Sequence, residues 1–480
     1  MLRARVFAGA LAVAIAACSS TSGTNGAVAT TVPAPPLGPA DMAFVDTLER
    51  RTFDFFWETT NPRNGLAPDR WPEPPFSSVA AVGFALTAYP IGVERQYVSR
   101  ADAAARTLLT LRFLYALPQS ADATNVGGAH GFFYHFLDME SGRRYKDVEL
   151  SSIDTSLLIA GVLFAGQYFD GPGADETAIR AYADSLYRRI DWRYMLARTP
   201  YVSMGWKPES GFISSEWHGY NEAMILYVLA LGSPTSPLDK SAWDAYQSTN
   251  SWGAFYGYEH VNFPPLFGHQ YSHMYVDFRG IQDPYIRAHG IDYFENSRRA
   301  TLSQRAYAAD NPNKWKGYDA SVWGVTASDG PIDTTVSIGG TPRRFFTYAA
   351  RGAAAKEVRD DGTIAPTAVG GSIPFAPNET VAALRAMRER YGDDLFTKYG
   401  FLDAFNPTFA TIGFPAKYGR VVPGKAWIGT QYLGIDQGPI IAMIENYRSG
   451  LVWDRMRTHP AVIRGLCRMG FEGGWLAGKC

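Results

Sequence analysis

The sequence predicts an all-α protein, a double-layered helical barrel (an α/α toroid) with short β-hairpins in its loops. Several predicted helices are apolar on every side, which indicates that they are buried all round. These helices alternate along the chain with amphipathic ones, which suit an outer layer, and strand-like runs are few and short. The apolar helices begin near Ser77, Ser151 and Asn221, and the amphipathic helices begin near Ser99, Asp175 and Leu238.

The predicted helices follow one another from about residue 40 to the C-terminus. The first covers 40–60, where Asp41 is a candidate cap and apolar residues recur at helical spacing. No repeat of fixed period interrupts the series, so 40–480 is predicted to be one domain. The later helices are predicted at 79–92, 99–117, 153–169, 175–196, 221–231, 238–250, 294–309, 377–391 and 436–449.

Three strand-like runs are too short and too far apart to form a central sheet. They lie at 130–137, 271–278 and 343–349. Each is rich in aromatic or β-branched residues, so we expect hairpins in the loops between helices.

The N-terminus predicts export and lipid anchoring. Arg3 and Arg5 precede an apolar run that is too short to span a bilayer, so 1–17 is predicted to be a signal peptide. The run ends Ile-Ala-Ala-Cys, which resembles a bacterial lipoprotein signal that is cut before Cys18 so that this cysteine takes lipid. Residues 18–39 suit a flexible tether. We therefore expect an anchor in the periplasm or outer membrane; an ordinary signal peptide cut after Ala17 is the alternative.

Composition excludes some partners and leaves others open. The chain has 480 residues, with 45 basic and 46 acidic side chains, which gives no indication of nucleic-acid binding. Two of the three cysteines, Cys467 and Cys480, lie near the C-terminus and would be able to form a disulfide in an oxidising compartment.

Acidic residues stand at the N-terminal ends of the helices that are predicted to be buried. Asp154 follows Ser151 at capping-box spacing, Glu222 follows the candidate cap Asn221, and Asp436 opens the helix at 436–449. Capping and the helix dipole alone would explain any one of these acids. Since several buried helices carry one, and Glu149 lies just before Ser151, we expect them to meet at one mouth of the barrel.

The stretch 206–232 places carboxylates among aromatic rings. Glycoside hydrolysis needs one protonated and one ionised carboxyl group. Burial among aromatic residues favours the protonated acid, so Glu222 is the candidate acid, and the capped Asp154 is the candidate base; the reverse assignment stays open. The aromatic and acidic residues of this stretch that we expect to bind substrate are Trp206, Glu209, Glu216, Trp217 and Tyr220.

Histidines suggest a competing site. His269 and His273 have the spacing of zinc ligands on a helix, but their neighbours look strand-like and an HExxH glutamate is missing. No metal or other cofactor is predicted, and both histidines are expected to be satisfied or to contact substrate. Asp277, Arg279 and Asp283 follow as candidate partners for hydroxyl groups, and the alternative is that they pair with each other.

Many blocks of the sequence resemble one known family. They include TFDFFWETTNPRNGLAPDR (52–70), ELSSIDTSLLIAG (149–161), GYNEAM (219–224), FGHQYSHMYVDFRGI (267–281) and YLGIDQGPI (432–440), and others lie at 131–144, 205–212, 293–301 and 360–368. The chain resembles bacterial glucoamylase-like proteins, the group that holds the β-1,2-glucanases of glycoside hydrolase family 144 and the related domain of cyclic β-1,2-glucan synthases.

The resemblance implies an (α/α)6 toroid and inverting cleavage of β-1,2-linked glucans without a metal. Endo-acting members and members that release sophorose from a chain end both exist, so the mode of action stays open. Asp154 and Glu222 match family blocks as the paired carboxylates. Asp138 and Glu149, which lie nearby, and Asp436, which lies in another block, are expected to bind substrate. Two other functions stay open: a carbohydrate-binding lipoprotein that has lost catalysis, and a polysaccharide lyase on the same toroid.

Overall fold

Helices make up most of the regular structure in the computed structural model, which describes residues 36–73 and 76–480. The predicted signal peptide, Cys18 and most of the predicted tether therefore lie outside the described residues. The helices of the described chain are α1 Pro39–Thr59, α2 Val79–Glu94, α3 Arg100–Ala116, α4 Ser152–Tyr168, α5 Ala174–Arg188, α6 Met224–Gly232, α7 Lys240–Gln247, α8 Tyr271–Tyr275, α9 Pro284–Ala288, α10 Tyr293–Asp310, α11 Pro366–Gly370, α12 Pro377–Tyr391, α13 Gly434–Arg448, α14 Leu451–Met456 and α15 Pro460–Met469.

The strands are short, and each pairs with only one or two others. They are β1 Arg70–Trp71, β2 Phe76–Ser78, β3 Gly128–Ala129, β4 Phe132–Phe133, β5 Phe136–Asp138, β6 Leu150–Ser151, β7 Gly205–Lys207, β8 Gly211–Phe212, β9 Trp252–Phe255, β10 Tyr258–Val261, β11 Ala327–Ser328, β12 Thr334–Ile338, β13 Thr341–Phe345, β14 Ala349–Ala350, β15 Gly352–Ala354, β16 Glu357–Arg359, β17 Phe396–Thr397, β18 Gly400–Phe401, β19 Phe405–Asn406, β20 Arg420–Val422, β21 Ala426–Ile428 and β22 Tyr432–Leu433.

The helices that are apolar all round form the centre of the molecule. Every residue of α6 is buried, and so is every residue of α2 from 79 to 92. Helix α2 packs against α4 and α13, and α4 packs against α6. A Cβ on Gly161 of α4 would lie 2.0 Å from the carbonyl oxygen of Gly83 in α2. The two helices can approach this closely because neither glycine carries a side chain. The amphipathic helices α3 and α5 pack on the outside of α2 and α4.

Strand pairing brings the N-terminal ends of the central helices together. β2, β6 and β22 run directly into α2, α4 and α13, and they pair with β5, β7 and β1. The backbone also links these ends, because His135 N–H donates to Glu149 O (2.9 Å) and Gly434 N–H donates to Asp69 O (2.7 Å). Side chains that enter at these helix starts therefore share one end of the molecule.

Most of the predicted elements are confirmed, and several details are wrong. The runs at 130–137 and 343–349 belong to short strands and hairpins as predicted, but 271–278 contains helix α8 because Met274 N–H and Val276 N–H bond to carbonyls four residues back. The helix predicted over 175–196 ends at Arg188. Helices α14 and α15 were not predicted.

The predicted caps also need correction. Helix α1 begins at Pro39, which places Asp41 inside the first turn, where it pairs with Arg385 at 2.6 Å. Asp436 likewise lies inside the first turn of α13. Asn221 closes a turn before α6, since its Oδ1 accepts from Ala223 N–H at 2.9 Å. Ser151 is confirmed as the cap of α4.

Two further features of the described chain bear on its setting. Cys467 and Cys480 form a disulfide, as the sequence suggested. No helix within 36–73 and 76–480 has the length and apolar character that a membrane span requires.

Candidate active site

The acids predicted from helix starts do meet at one end of the molecule. Asp154 lies in the first turn of α4, Asp436 lies in the first turn of α13, and Glu222 lies in the turn that leads into α6. Asp154 and Asp436 are about 5% exposed or less, and Glu222 is partly exposed. Their chemistry differs because their partners differ.

Glu222 is held on a fixed turn but its carboxyl group is not neutralised. Ser272 Oγ donates to the Glu222 carbonyl at 2.8 Å and accepts from Ile225 N–H at 2.9 Å, which fixes the backbone on both sides. Oε2 of Glu222 is buried and has no partner among the described residues. Burial raises the pKa of Glu222 to about 7; a backbone hydrogen bond opposes this rise, and the charge of Asp154 adds to it. A carboxyl with this pKa holds its proton in neutral solution about half of the time.

Asp154 belongs to a group of polar side chains that we call the His135 cluster: His135, Glu149, Ser151 and Asp154. Ser151 Oγ donates to Asp154 Oδ2 at 2.5 Å, and His135 Nε2 lies 3.5 Å from Asp154 Oδ1. The other ring nitrogen, Nδ1, lies 2.9 Å from Glu149 Oε1. A histidine between two carboxylates favours the imidazolium and, through it, the ionised form of both acids.

The pKa values of the cluster follow from these contacts. Burial lowers the pKa of His135, but Asp154 and Glu149 outweigh it and raise that pKa to about 9. Burial would raise the pKa of Glu149, but its hydrogen bond and charge interaction with His135 lower it to about 2. The cluster is therefore a cation between two anions at neutral pH.

A second group, which we call the Asp403 cluster, consists of four acids and one arginine: Asp69, Arg70, Asp329, Asp403 and Asp436. Arg70 pairs with Asp69 at 3.2 Å and with Asp329 at 3.3 Å, and Asp329 N–H donates to Asp403 Oδ2 at 2.7 Å. Burial and the charge of Asp329 raise the pKa of Asp403 to about 7. Burial and then Asp403 raise the pKa of Asp436 well above its usual range. One arginine cannot neutralise four clustered carboxylates, three of them buried, so this cluster holds protons at neutral pH.

Tyr271 stands between the two groups of acids. Its hydroxyl interacts electrostatically with Asp436, Glu222 and Asp154, and burial followed by these charges raises the pKa of Tyr271 well above its usual range. The side chain is 6% exposed and its ring contacts Phe267 and Phe84. Glu222, Asp154 and Asp436 therefore all lie within electrostatic reach of one neutral phenol.

The predicted aromatic residues line or support the approach to Glu222. Trp217 is buried and donates from Nε1 to Ser152 Oγ at 2.9 Å, which ties the loop before Glu222 to the start of α4. Tyr220 is buried and stacks on Tyr293 with ring centroids 5.7 Å apart. Trp206 on β7 is partly exposed. Of the three, Trp206 presents the most accessible ring, whereas the buried rings of Trp217 and Tyr220 hold the loop before Glu222 in place.

Three predicted substrate-binding acids are engaged elsewhere. Glu209 pairs with Arg144 at 2.5 Å, and Glu216 pairs with Arg198 and lies 3.2 Å from His218. Asp138 Oδ1 accepts from Ser141 N–H at 2.8 Å and closes a turn. They remain predicted substrate contacts, although a sugar hydroxyl would have to compete with these partners.

The positions of His269 and His273 fit the alternative that their rings are satisfied inside the protein, and Arg279 is paired with a neighbouring acid. Both histidines are about 1% exposed or less; His269 Nε2 bonds to Phe263 O, and His273 Nε2 lies 3.0 Å from Ser297 Oγ. Arg279 pairs with Asp277 and lies over Trp453 of α14, beyond the far end of α13 from Asp436. A 15-residue helix is about 22 Å long, so Arg279 is remote from the acids. Among the described residues no group of His, Cys, Asp and Glu is arranged to hold a metal ion.

Sequence reasoning missed His135, Asp69, Asp329 and Asp403. His135 and Asp69 lie within sequence blocks that carried the resemblance or close to them, but neither follows a capping residue, so the helix-start argument passed over them. Asp329 and Asp403 lie in irregular segments between short strands, and only the tertiary structure brings them beside Asp436.

Comparison with known proteins identifies the family of this chain. The family model described as "Putative glucoamylase" matches residues 214–460, just over half of the chain. The chain belongs to this family. The matched segment holds Glu222, Asp329, Asp403 and Asp436, whereas Asp154 and His135 lie before it.

Family members with known activity or structure align with most of this chain. An exo β-1,2-glucooligosaccharide sophorohydrolase (non-reducing end) of Parabacteroides distasonis is 29% identical over 461 residues, which cover 89% of this chain and 57% of that protein. This chain thus spans little more than half the length of that relative. A crystal structure of a β-1,2-glucanase from the same organism has a TM-score of 0.76 and 27% identity, covering 91% of this chain and 60% of that one.

A second solved structure matches over its full length. It is the endo-β-1,2-glucanase of Chitinophaga pinensis in complex with sophorotriose and glucose, with a TM-score of 0.76 and 28% identity. The match covers 92% of this chain and 100% of that one. The similarity therefore extends over both groups of acids.

Proposed function

We propose that this family member is a glycoside hydrolase that cleaves β-1,2-glucan with inversion. The observation that carries the proposal is the contrast between two carboxyl groups at one end of the molecule. Glu222 has its pKa raised to about 7 and an oxygen without a partner, whereas Asp154 accepts a hydrogen bond from Ser151 and lies 3.5 Å from His135. Glycoside hydrolysis requires one protonated and one ionised carboxyl group, one on each side of the scissile bond.

Glu222 is the general acid in this proposal, and it protonates the leaving glycosidic oxygen. Asp154 is the general base, and it takes a proton from the attacking water on the other face of the sugar. Asp436 is a weaker candidate base, because its raised pKa keeps a proton on it. The substrate class comes from the relatives, whose names specify β-1,2-glucan or its oligosaccharides.

The fold that supports this chemistry is, in our proposal, an (α/α)6 toroid. The central helices α2, α4, α6 and α13 provide the inner layer, and α3 and α5 belong to the outer one. The proposed toroid is supported by the alternation of buried and amphipathic helices and by the TM-scores to solved structures of relatives.

We also propose that the protein is exported and anchored through lipid on Cys18. The support is the sequence of 1–18 alone. Labelling of cells with a radioactive or alkynyl fatty acid tests this: label in the wild type and none in Cys18→Ser is expected, and equal label in both would overturn it.

The two alternative functions fit the site less well. A lyase would need a tyrosine or histidine base beside a cation, but the pKa of Tyr271 is raised and Arg279 is remote. A binding protein that had lost catalysis would not be expected to keep an unpaired, protonated Glu222 beside Asp154, and Glu222 forms no ion pair within the described chain.

Product analysis on a panel of linear β-1,2-, β-1,3-, β-1,4- and α-1,4-glucans tests the proposed activity. We expect new reducing ends only from β-1,2-glucan, and the product lengths distinguish endo cleavage from release of sophorose. Release from another glucan of the panel but not from β-1,2-glucan would overturn the proposed substrate.

A further inference from the structure

Tyr348 is a large aromatic side chain that the protein leaves open. It is 52% exposed, although it lies between β13 and β14 in a part of the chain that reaches the acids. Within 36–73 and 76–480, its side chain makes no hydrogen bond and no ring contact. Its ring is therefore available to a ligand.

Strand register places Tyr348 beside the Asp403 cluster. β11 and β14 are antiparallel, with Ala327 opposite Ala350 and Ser328 opposite Ala349. The next position along this register puts Asp329 opposite Tyr348. Asp329 is the residue whose N–H bonds to Asp403 Oδ2 and whose carboxylate pairs with Arg70. The charges of Asp436 and Asp403 act on the Tyr348 hydroxyl, which agrees with this placement.

A buried ion pair fixes the turn that carries Tyr348. Arg351 and Asp361 are both fully buried and pair at 2.8 Å. Arg351 Nη2 donates to the carbonyls of Phe346 (3.1 Å) and Thr347 (3.0 Å), which directly precede Tyr348.

The same ion pair fastens this turn to the neighbouring strand. Arg351 Nη1 donates to Ser328 O at 2.6 Å, and Asp361 Oδ2 accepts from Phe346 N–H at 3.0 Å. The backbone on both sides of Tyr348 is therefore held in place before any ligand arrives, which reduces the entropy lost on binding.

We propose that Tyr348 is a substrate-contacting residue whose ring stacks on the C–H face of a glucose unit lying over the Asp403 cluster. This inference rests on the proposed function and assigns one contact of that same site. A sugar presents hydroxyls at its edge and an apolar face, so acids beside an open, rigidly held aromatic ring match both. The role of Tyr348 is positioning, and it reduces the concentration of glucan needed for half-maximal rate.

Tyr115 provides a matched control. It is a tyrosine of similar exposure, 47%, but it packs against Tyr182 with ring centroids 5.3 Å apart and lies under Arg189. It belongs to outer helix α3, away from the acids. Tyr115→Ala therefore tests the effect of losing an exposed tyrosine ring that lies away from the acids.

The experiment measures kcat and KM for linear β-1,2-glucan in the wild type, Tyr348→Ala, Tyr348→Phe and Tyr115→Ala. We expect KM to rise about tenfold in Tyr348→Ala while kcat changes less, because one stacked ring is lost. Tyr348→Phe keeps the ring and should stay within about twofold of the wild type. Tyr115→Ala should do the same. Thermal unfolding of Tyr348→Ala should match the wild type, since this side chain has no partner to lose.

Calorimetric titration of a β-1,2-glucooligosaccharide into the same variants on a Glu222→Gln background separates binding from cleavage. We expect Kd to rise about tenfold in Tyr348→Ala and to stay unchanged in the other variants. Unchanged KM and Kd in Tyr348→Ala would overturn the inference, and so would an equal loss in Tyr348→Phe, which would assign the effect to the hydroxyl. If the wild type binds the oligosaccharide without cleaving β-1,2-glucan, the proposed function falls and the Kd comparison still decides Tyr348. If the wild type does neither, both fall.

Discussion

Nε2 of His135 lies 3.5 Å from Oδ1 of Asp154. This contact gives the proposed base a cationic neighbour, and Glu149 holds the other side of the imidazole at 2.9 Å. The aspartate thus receives one hydrogen bond from Ser151 and one charge interaction from His135. The orientation of Asp154 therefore depends on a residue that no sequence signal for catalysis identified.

Replacement of His135 by asparagine should lower kcat by about 100-fold, because a base that is displaced by even 1 Å loses its alignment with the attacking water. KM should change little, since His135 is not expected to contact the sugar. Initial rates on β-1,2-glucan check this. A kcat within threefold of the wild type would show that Asp154 does not need His135.

The same substitution should change how stability depends on pH. The pKa of His135 is raised to about 9 in the folded protein, so its contribution is fully present below pH 6.5 and is lost as pH rises through about 9. The difference in Tm between the wild type and His135→Asn should therefore be larger at pH 6 than at pH 9.5. His218→Asn is the control, because His218 is an exposed histidine on the loop before Asn221. An equal difference at both pH values would contradict the assigned pKa.

Replacement of Glu222 by glutamine should lower kcat by a factor of about 10²–10⁴, since the reaction loses its general acid. Binding of oligosaccharide should survive because glutamine keeps the shape of the side chain. Glu357→Gln, on the exposed strand β16, is the matched control and should leave both unchanged.

Glu222 should also set the alkaline limb of the pH profile. Its pKa is raised to about 7, so kcat should fall as pH rises through about 7. For stability the sign is the reverse of a usual carboxylate: the raised pKa costs stability as pH rises above 4.5 and through 7. Glu222→Gln should therefore raise Tm relative to the wild type at pH 8 and not at pH 4. A Tm difference that is the same at both values would remove Glu222 from this role.

The disulfide between Cys467 and Cys480 should stabilise the C-terminal segment. Closure of a loop with a sequence separation of 13 contributes up to about 3 kcal/mol in the loop-entropy model. Cys480→Ser should lower the free energy of unfolding by up to that amount, and dithiothreitol should have the same effect on the wild type. Dithiothreitol should have no effect on the variant; a further loss there would point to another target.

The sequence was a good guide where local chemistry decides the structure. All-round apolar runs identified α2, α4 and α6, and capping chemistry placed Asp154 in the first turn of α4 beside Ser151. Glu222 was found because it precedes such a run. These features need only neighbours in the chain.

The rest of the site depends on contacts between distant segments. Asp403 acquires its raised pKa from burial and from Asp329, which is 74 residues away in the chain, and His135 acquires its charge from Asp154 and Glu149. The sequence left open whether His269 and His273 contact substrate or are satisfied inside the protein, and only the fold shows that α8 carries both into the core. Periodicity cannot reveal which partner a side chain meets after folding.

The proposed inverting hydrolysis depends most on Glu222 acting as the general acid. Proton NMR of the first anomer released from linear β-1,2-glucan, recorded for the wild type and Glu222→Gln side by side, tests this most directly. We predict that the wild type releases the α-anomer first, which then mutarotates, and that Glu222→Gln releases almost no product. A β-anomer as the first product, or a rate in Glu222→Gln close to that of the wild type, would contradict the account.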